Sequence, residues 1–337
     1  MPLTLEDIAR MSGVSRSTVS RVINNDPNVN ETTRLKVWEI IHTINFQPNL
    51  AARSLAAGRT QVLGLVIPMA VTSIFADPYF PLLIQGISSA CNSSGYSMML
   101  WLAEPDYERR MAGQILYSGL IDGVIVASNV MDDPVVEALV NGKKLPFIMV
   151  GRHPNDSSVS YVDVDNRMGA AQAVEHLIRL GKKRIATIRG PQTMVAGVDR
   201  FQGYLDAMAQ AKMKVDPHLV EEGEFSQQGG FQAMQKLLPN QPDAVFAASD
   251  MIAVGAMMAI QEGGWKIPED IALVGFDGIP SSAHTDPPLT TVRQPITRSG
   301  AIAAQLLIDM IENPSPTPRR MILSTELIIR KSCGANP

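Results

Sequence analysis

The sequence predicts a small all-α head carrying a helix-turn-helix, followed by an α/β body of two doubly wound parallel-sheet lobes. Three observations predict it. The amino-terminal segment places apolar residues at helical spacing around a glycine turn. From residue 60 the rhythm changes to short continuous apolar runs alternating with helical stretches, as buried parallel strands require. These alternations are too many for one compact sheet, so two lobes with a ligand cleft between them follow. A chain of 337 residues has room for that arrangement.

In the head, Thr4 and Asp7 form a capping box ahead of the apolar Leu5, Ile8 and Ala9. Gly13 can take the backbone angles that a tight turn demands. Ser15 caps a second helix that continues through Asn24 and turns Val19, Val22 and Ile23 inward. A third helix covers residues 30–45, with Leu35, Trp38, Ile41 and Ile44 at helical spacing. Phe46-Gln47-Pro48 ends the unit, and Asn49 caps a fourth helix over residues 50–57 that Gly58 stops. Shorter than the ~12–15 residues an isolated helix needs in water, this last helix orders only against a partner.

Strands of the body are expected at 62–67, 97–103, 123–127, 147–150, 161–164, 185–188, 244–248 and 271–276. Helices lie between most of them, for example at 80–94, 167–180, 200–212, 252–263 and 298–311. Residues 313–318 form a brief proline-rich loop.

Composition narrows the function. Hydrophobic residues make up 45% of the chain and charged ones 18%, which excludes wholesale disorder. No apolar run reaches the ~18–20 residues of a membrane helix, and the start lacks the basic and hydrophobic regions of a signal peptide. With Cys91 and Cys333 alone, neither a disulfide framework nor a cysteine zinc site can form. A reducing cytoplasm, with no membrane partner, is the expected location. Residues 1–59 set Arg10, Arg16, Arg21, Arg34, Lys36, Arg53 and Arg59 against Glu6, Asp7, Asp26, Glu31 and Glu39. A basic head therefore sits on a chain of net charge −4, which suits a head that meets phosphate.

Signatures of catalysis are missing. There is no His-Glu-x-x-His, Walker A loop, Gly-x-Gly-x-x-Gly or Gly-x-Ser-x-Gly run. His42, His153, His176, His218 and His284 are scattered without metal-ligand spacing. Asp163 and Asp165 share a strand face, where lining a cleft is the commoner role than acid/base catalysis. The expectation is a non-enzyme with no metal and no cofactor.

The run Thr4-Leu5-Glu6-Asp7-Ile8-Ala9-Arg10-Met11-Ser12-Gly13-Val14-Ser15-Arg16-Ser17-Thr18-Val19-Ser20-Arg21-Val22-Ile23-Asn24 closely resembles the head of the lactose-repressor (LacI/GalR) family of bacterial transcription regulators. The resemblance continues through Phe46-Gln47-Pro48-Asn49 and Ala52-Arg53-Ser54-Leu55-Ala56, which resembles the family's hinge motif. It extends through Asp77-Pro78-Tyr79-Phe80, Asp122-Gly123, Val164-Asp165-Asn166, Arg200-Phe201-Gln202-Gly203-Tyr204 and Pro268-Glu269-Asp270-Ile271-Ala272-Leu273-Val274-Gly275-Phe276-Asp277, nearly the whole chain. The resemblance implies a head at 1–48, a hinge helix at 49–59 and a periplasmic-binding-protein-like (type I) body at 60–337.

It also implies the two sites. A recognition helix puts its first side chains into the major groove: here Arg16, Ser17 and Arg21, with Ser15, Thr18, Ser20 and Asn24 within reach of phosphate or bases, and Thr4 beside them. An arginine can pair with guanine O6 and N7 or simply with phosphate. Asn49, Ala52, Arg53 and Leu55 bring the hinge to the minor groove, where small alanines permit close approach and Leu55 wedges into a base step. In the body, the implied effector pocket takes Tyr79, Phe80, Arg200, Phe225, Asp250 and Asp277. Arg200 and Asp277 suit vicinal hydroxyls, and an aromatic ring can stack on a sugar face, although each of Tyr79, Phe80 and Phe225 has core packing as its ordinary alternative. Ser249 stands where many members carry Asn, and Met149 where some sugar binders carry a carboxylate. These departures leave the sugar unidentified.

No leucine heptad follows the last strand, so a homodimer on a pseudo-palindromic double-stranded operator is expected, with residues 81–84 and 87–91 either in its interface or in the core. The reading is a repressor whose operator affinity a small molecule, a sugar, controls. A periplasmic-type sugar-binding protein and a sugar-processing enzyme on the same scaffold are the disfavoured alternatives. Leu55→Ala should weaken specific operator binding while sparing non-specific affinity, since a wedge acts only where the duplex yields. A gel shift against operator and random DNA measures both, and an equal loss would contradict the wedge.

Overall fold

The computed structural model describes residues 3–23, 26–46, 59–102, 116, 118–127, 130–131, 133–142, 145–153 and 158–335. Two compact units emerge, Met1–Thr60 and Gln61–Pro337. The first unit holds three helices, Leu5–Ser12, Arg16–Ile23 and Glu31–Thr43. Thr4 opens the first as expected: its hydroxyl accepts the Asp7 N–H, and the Asp7 carboxylate accepts the Thr4 N–H at 3.0 Å. Gly13 ends it with φ of 67°, the left-handed turn into the second helix. Ile8, Val19, Val22, Val37 and Ile41 form the core of the unit.

The third helix corrects the sequence reading at one position. Leu35 is 62% exposed, and Val37 takes the inward place instead. A spacing of three drifts by about 60° per step against a 3.6-residue turn, so residues 35 and 44 fall on opposite sides of the helix. The face that reaches the core is the one shared by Val37, Ile41 and Ile44. The hinge residues expected at 49–59 fall almost wholly outside the described residues.

The second unit contains two six-stranded sheets. The first runs in the order Arg320–Leu323, Tyr161–Val164, Phe147–Val150, Gly123–Ala127, Val62–Val66, Ser97–Trp101. The second runs Glu326–Ile328, Thr290–Arg293, Ala272–Asp277, Ala244–Ala247, Ile185–Arg189, Val220–Glu222. Pairing is parallel throughout except between Thr290–Arg293 and Glu326–Ile328. The central strands match the expected positions closely. The strands without sequence forewarning are Thr290–Arg293 and three at or near sheet edges, Val220–Glu222, Arg320–Leu323 and Glu326–Ile328. They carry charged or hydroxyl residues, so no continuous apolar run marks them.

Each sheet is covered by helices on both faces, which gives separate apolar clusters on either side. Leu63, Leu65, Ile125 and Ile148 pack under Tyr79–Ser93 and Ile296–Glu312, while Val124, Val126 and Met149 face the other way with Leu139. The same alternation recurs in the second sheet, where Val245 and Leu273 face one cluster and Phe246 and Val274 the other. Leu83, Ile87 and Cys91, which were candidates for an interface, are buried in the first cluster of a single chain. The chain passes between the sheets three times: Val164 to Asn166, Arg293 to Ile296, and Leu323 to Glu326. The first and third leave the carboxyl ends of strands in the first sheet and the second leaves that of a strand in the second sheet, and the polar groups they carry gather where the passages meet.

The helices Tyr79–Ser93 and Ile296–Glu312 approach so closely that a Cβ on Gly86 would lie 1.9 Å from the Thr297 carbonyl oxygen. Glycine to alanine in a helix normally gains up to about 1 kcal/mol. Here backbone meets backbone, and no side chain can swing away. Gly86→Ala should therefore lower stability by about 1–3 kcal/mol, read as a fall in melting temperature. An unchanged or raised Tm would contradict the close approach.

Candidate functional site

In the head, the second helix separates its residues cleanly. Val19 and Val22 are buried, while Arg16, Ser17 and Arg21 are exposed on the opposite side. Arg16 Nε lies 2.9 Å from Glu6, and Arg21 Nε lies 3.8 Å from Asp26, with both arginine side chains about two-thirds exposed at 67% and 66%. Exposed pairs of this kind contribute little, so both guanidinium groups are free to exchange their partners for phosphate or a base edge. Ser15 is engaged locally: its hydroxyl accepts the Thr18 N–H at 3.1 Å and bonds the Ser17 and Thr18 hydroxyls. Thr4 is likewise occupied with Asp7. Thr18 and Ser20 are half-buried on the flank of the helix. Asn24, Asn49, Ala52, Arg53 and Leu55 lie outside the described residues.

In the body, a cavity of about 380 Å³ opens between the two lobes. Tyr79, Phe80, Asp77 and Asp163 come to its wall from the first lobe, and Arg200, Phe225, Ser249 and Asp277 from the second. Of the six candidates, Tyr79, Phe80, Arg200, Phe225 and Asp277 meet there. Tyr79 and Phe80 stand edge to face with ring centroids 5.3 Å apart, with Phe80 buried and Tyr79 partly exposed.

Arg200 is the centre of the arrangement. Its Nε donates to Asn166 Oδ1 at 2.8 Å, and Nη1 donates to the Ala248 carbonyl at 2.6 Å and to Asp277 Oδ1 at 3.1 Å. The guanidinium lies 3.8 Å above the Phe276 ring and 5.7 Å from that of Phe225. Most of the donor fork thus serves the protein, and among the described residues Nη2 is the donor left for a ligand. Asp277 Oδ1 also accepts from Gln294 Nε2 at 2.7 Å. The Asp277 backbone has φ of 117°, a strained conformation for a residue with a Cβ, and one that persists at sites where surrounding bonds over-determine it.

Asp250 corrects the expectation. It does not reach the cavity wall. Its carboxylate is buried beneath the Asp277 turn, where it accepts the Thr291 hydroxyl at 2.5 Å and the Ile279 N–H at 2.9 Å. As the first residue of the helix Asp250–Glu262, it points back under the sheet, while the preceding Ser249 caps that helix and touches the cavity. Burial, with the Asp277 charge beside it, holds the Asp250 carboxyl well above the ordinary range. It acts by fixing the loop that presents Asp277.

Residues the sequence reading left unassigned also line the cavity, among them Asp77, Asn166, Glu224 and Gln294. Asp77 carried a signal, because it opens the Asp77-Pro78-Tyr79-Phe80 run. Asn166 likewise closes the Val164-Asp165-Asn166 run, whereas Gln294 carried no signal, since it sits on a passage between lobes whose position only the fold defines. Two ties cross the gap nearby. Arg152, beyond the fourth strand of the first lobe, grips Asp199 on the helix Val195–Gln210 with both terminal nitrogens, Nη2 at 2.6 Å, and also reaches Asp163 at 3.2 Å. The Met131 N–H donates to the Thr193 carbonyl at 2.9 Å. Among the described residues, no group of His, Cys, Asp and Glu is placed to hold a metal ion.

Asp77 accepts the Tyr79 N–H at 2.9 Å. Burial first, and then the Asp277 charge, push its carboxyl up to about 6. A carboxyl raised in the folded state favours folding when protonated, so its contribution is complete below about pH 4 and is lost as pH rises through about 6. Asp77→Asn, neutral throughout, should raise stability at pH 7 by up to about 3 kcal/mol and flatten the fall in Tm between about pH 4 and 6. Calorimetric melting across that range tests it, and an unchanged slope would remove the strained carboxylate.

Residues 4–49 match the family described as bacterial regulatory proteins, lacI family, and residues 174–333 match a periplasmic binding protein-like domain. The chain is 39% identical to the HTH-type transcriptional regulator CelR of Thermobifida fusca, over 98% of each protein. It is 33% identical to the ribose operon repressor of Escherichia coli (strain K12), covering 98% of this chain and 99% of that protein. Among solved structures it superposes on a CelR–cellobiose complex with a TM-score of 0.77 at 37% identity, over 98% of this chain and 99% of that one. It superposes on the lac repressor dimer bound to operator and the anti-inducer ONPF with a TM-score of 0.88 at 26% identity, over 99% and 100%. With a lacI-type head on a periplasmic-binding-protein-like body along its whole length, the chain belongs to the LacI family of bacterial regulatory proteins and is a transcription regulator.

Proposed function

We propose that the chain is a repressor that binds a pseudo-palindromic operator as a homodimer and releases it, or holds it, according to a sugar bound between the lobes. The carrying observation is the cavity itself. It places the Arg200–Asp277 pair beside Tyr79 and Phe225, with walls drawn from two lobes that three chain passages connect. A ligand touching both walls changes the balance between open and closed lobes, because it binds one arrangement better than the other. The cellobiose in the CelR complex, a structure 37% identical to this chain, supports a sugar. The lac repressor dimer on its operator supports the DNA arrangement.

Within that reading, Arg16, Ser17 and Arg21 enter the major groove, and Arg53 and Leu55 approach the minor groove. Tyr79 and Phe225 bracket the apolar face of a sugar ring while Asp277 and Arg200 Nη2 take its hydroxyls. Ligand-driven rotation of the lobes would act through the hinge at 49–59, and a coupling of only about 1–3 kcal/mol makes a useful switch. The head disfavours a transport binding protein, which has no use for an exposed arginine pair on a helix-turn-helix.

The test combines a gel shift on DNA flanking the gene with calorimetry against cellobiose, glucose and ribose. Specific binding that changes with one of these sugars is expected, and no sequence-specific binding with or without them would refute the proposal. Arg21→Ala should reduce operator affinity by about 1–3 kcal/mol if the arginine reads guanine, with random DNA affected less. Phe225→Ala should weaken the sugar and leave operator binding without sugar unchanged.

A further inference from the structure

We propose that the cavity selects a neutral sugar and rejects its phosphorylated or carboxylated counterparts, a refinement that rests on the effector reading above. Among the described residues, the acids on the wall are Asp77, Asp163, Glu224 and Asp277, and the only lining cation is Arg200. Arg200 is already held by Asp277 and the Ala248 carbonyl. The next cation outward, Arg152, is gripped by Asp199 and also bonded to Asp163. Among the described residues, an incoming phosphate or carboxylate therefore meets no unpaired positive charge, and it stands beside several negative ones. With water largely displaced, that repulsion is felt more strongly than at an exposed surface.

Helix starts on the wall favour anions. The helices Val195–Gln210 and Ile296–Glu312 start without a side-chain cap, with Met194, Ala196, Gln294 and Ser299 on the wall, and the short helix Val71–Ala76 is likewise uncapped. A helix start offers about half a positive charge. The remaining starts are engaged: Asp77 accepts the Tyr79 N–H, Asp165 the Met168 N–H, Ser226 the Gly229 N–H and Ser249 the Ile252 N–H. Such partial charges, screened by the mouth of the cavity, do not offset four carboxylates set against one guanidinium. At Asp77 and Asp163, neighbouring acids add to the burial that raises the carboxyls, as a surplus of negative charge would.

For a neutral polyol the same wall is favourable. Hydroxyl hydrogens find carboxylate oxygens, which make short, charge-assisted bonds, and hydroxyl oxygens find Arg200 Nη2. Neither end of such a bond brings in a new net charge.

Titration calorimetry of the full chain at pH 7.5 and fixed ionic strength tests the discrimination. The matched probes are cellobiose with cellobionate, glucose with glucose 6-phosphate and with glucuronate, and ribose with ribose 5-phosphate. The neutral member of the binding pair is expected to bind at least ten-fold more tightly than its anionic counterpart. Glu224→Gln, on the exposed part of the wall, should narrow that ratio, and so should Asp77→Asn. An anionic member binding as tightly as its neutral partner would overturn the proposal while leaving the sugar-effector reading intact. Tighter binding of glucosamine than of glucose would overturn the assignment of a neutral ligand. Absence of binding by every member would instead overturn the effector reading, and this refinement with it.

Discussion

The body is organised around one buried ion pair. Arg200 and Asp277 are both almost completely excluded from solvent, and neither could be left there alone without a large desolvation penalty. The pair survives because each partner is bonded beyond the other. Arg200 is held by Asn166 and the Ala248 carbonyl, and Asp277 by Gln294. Asn166 and Gln294 sit on two of the three passages between lobes, so the network that satisfies the charges also fixes the geometry of the hinge inside the body. A polar ligand entering here joins a network that already spans both lobes.

That arrangement explains the buried acid beneath the pair and the strained backbone at Asp277. Asp250 supports the Asp277 turn from beneath, at the cost of a second buried carboxyl next to the first. The positive φ of Asp277 aims its side chain at Arg200 rather than into the sheet. On the outer side, Arg152 binds Asp199 across the gap, and the backbone bond from Met131 to Thr193 lies near it. Ile279 and Met251 of the second lobe also pack into the apolar cluster of the first, whereas the Arg152 and Met131 ties are polar. Contacts of that kind can be exchanged for ligand contacts without disturbing the apolar clusters that hold each lobe, which is what a two-state element requires.

The head works on a different physical basis. Its core is small, and Ile8, Val19, Val22, Val37 and Ile41 supply nearly all of it. The capping box at Thr4 and the glycine turn at Gly13 therefore matter more than in a larger domain, because a small core leaves little margin. The same economy accounts for Ser15 and Thr4, whose hydroxyls satisfy helix ends before they can serve any partner.

Much of this was legible in the sequence, and the limit falls at a definite place. Local chemistry was determined by sequence alone: the caps, the glycine turn and the continuous apolar strands at the sheet centres, together with the arginines and rings proposed for the two sites. Those signals act within a few residues, so periodicity and residue type suffice to read them. What only the tertiary structure decided was direction across the chain. Ser249 and Asp250 are neighbours, yet one meets the cavity and the other lies beneath it, because a helix begins between them. Leu35 faces water although its spacing suggested the core, and Asn166 and Gln294 become wall residues only because the chain crosses between lobes at those points. Each of these outcomes is set by which distant strand or helix is adjacent, and a contact between residues far apart leaves no periodic trace in either segment.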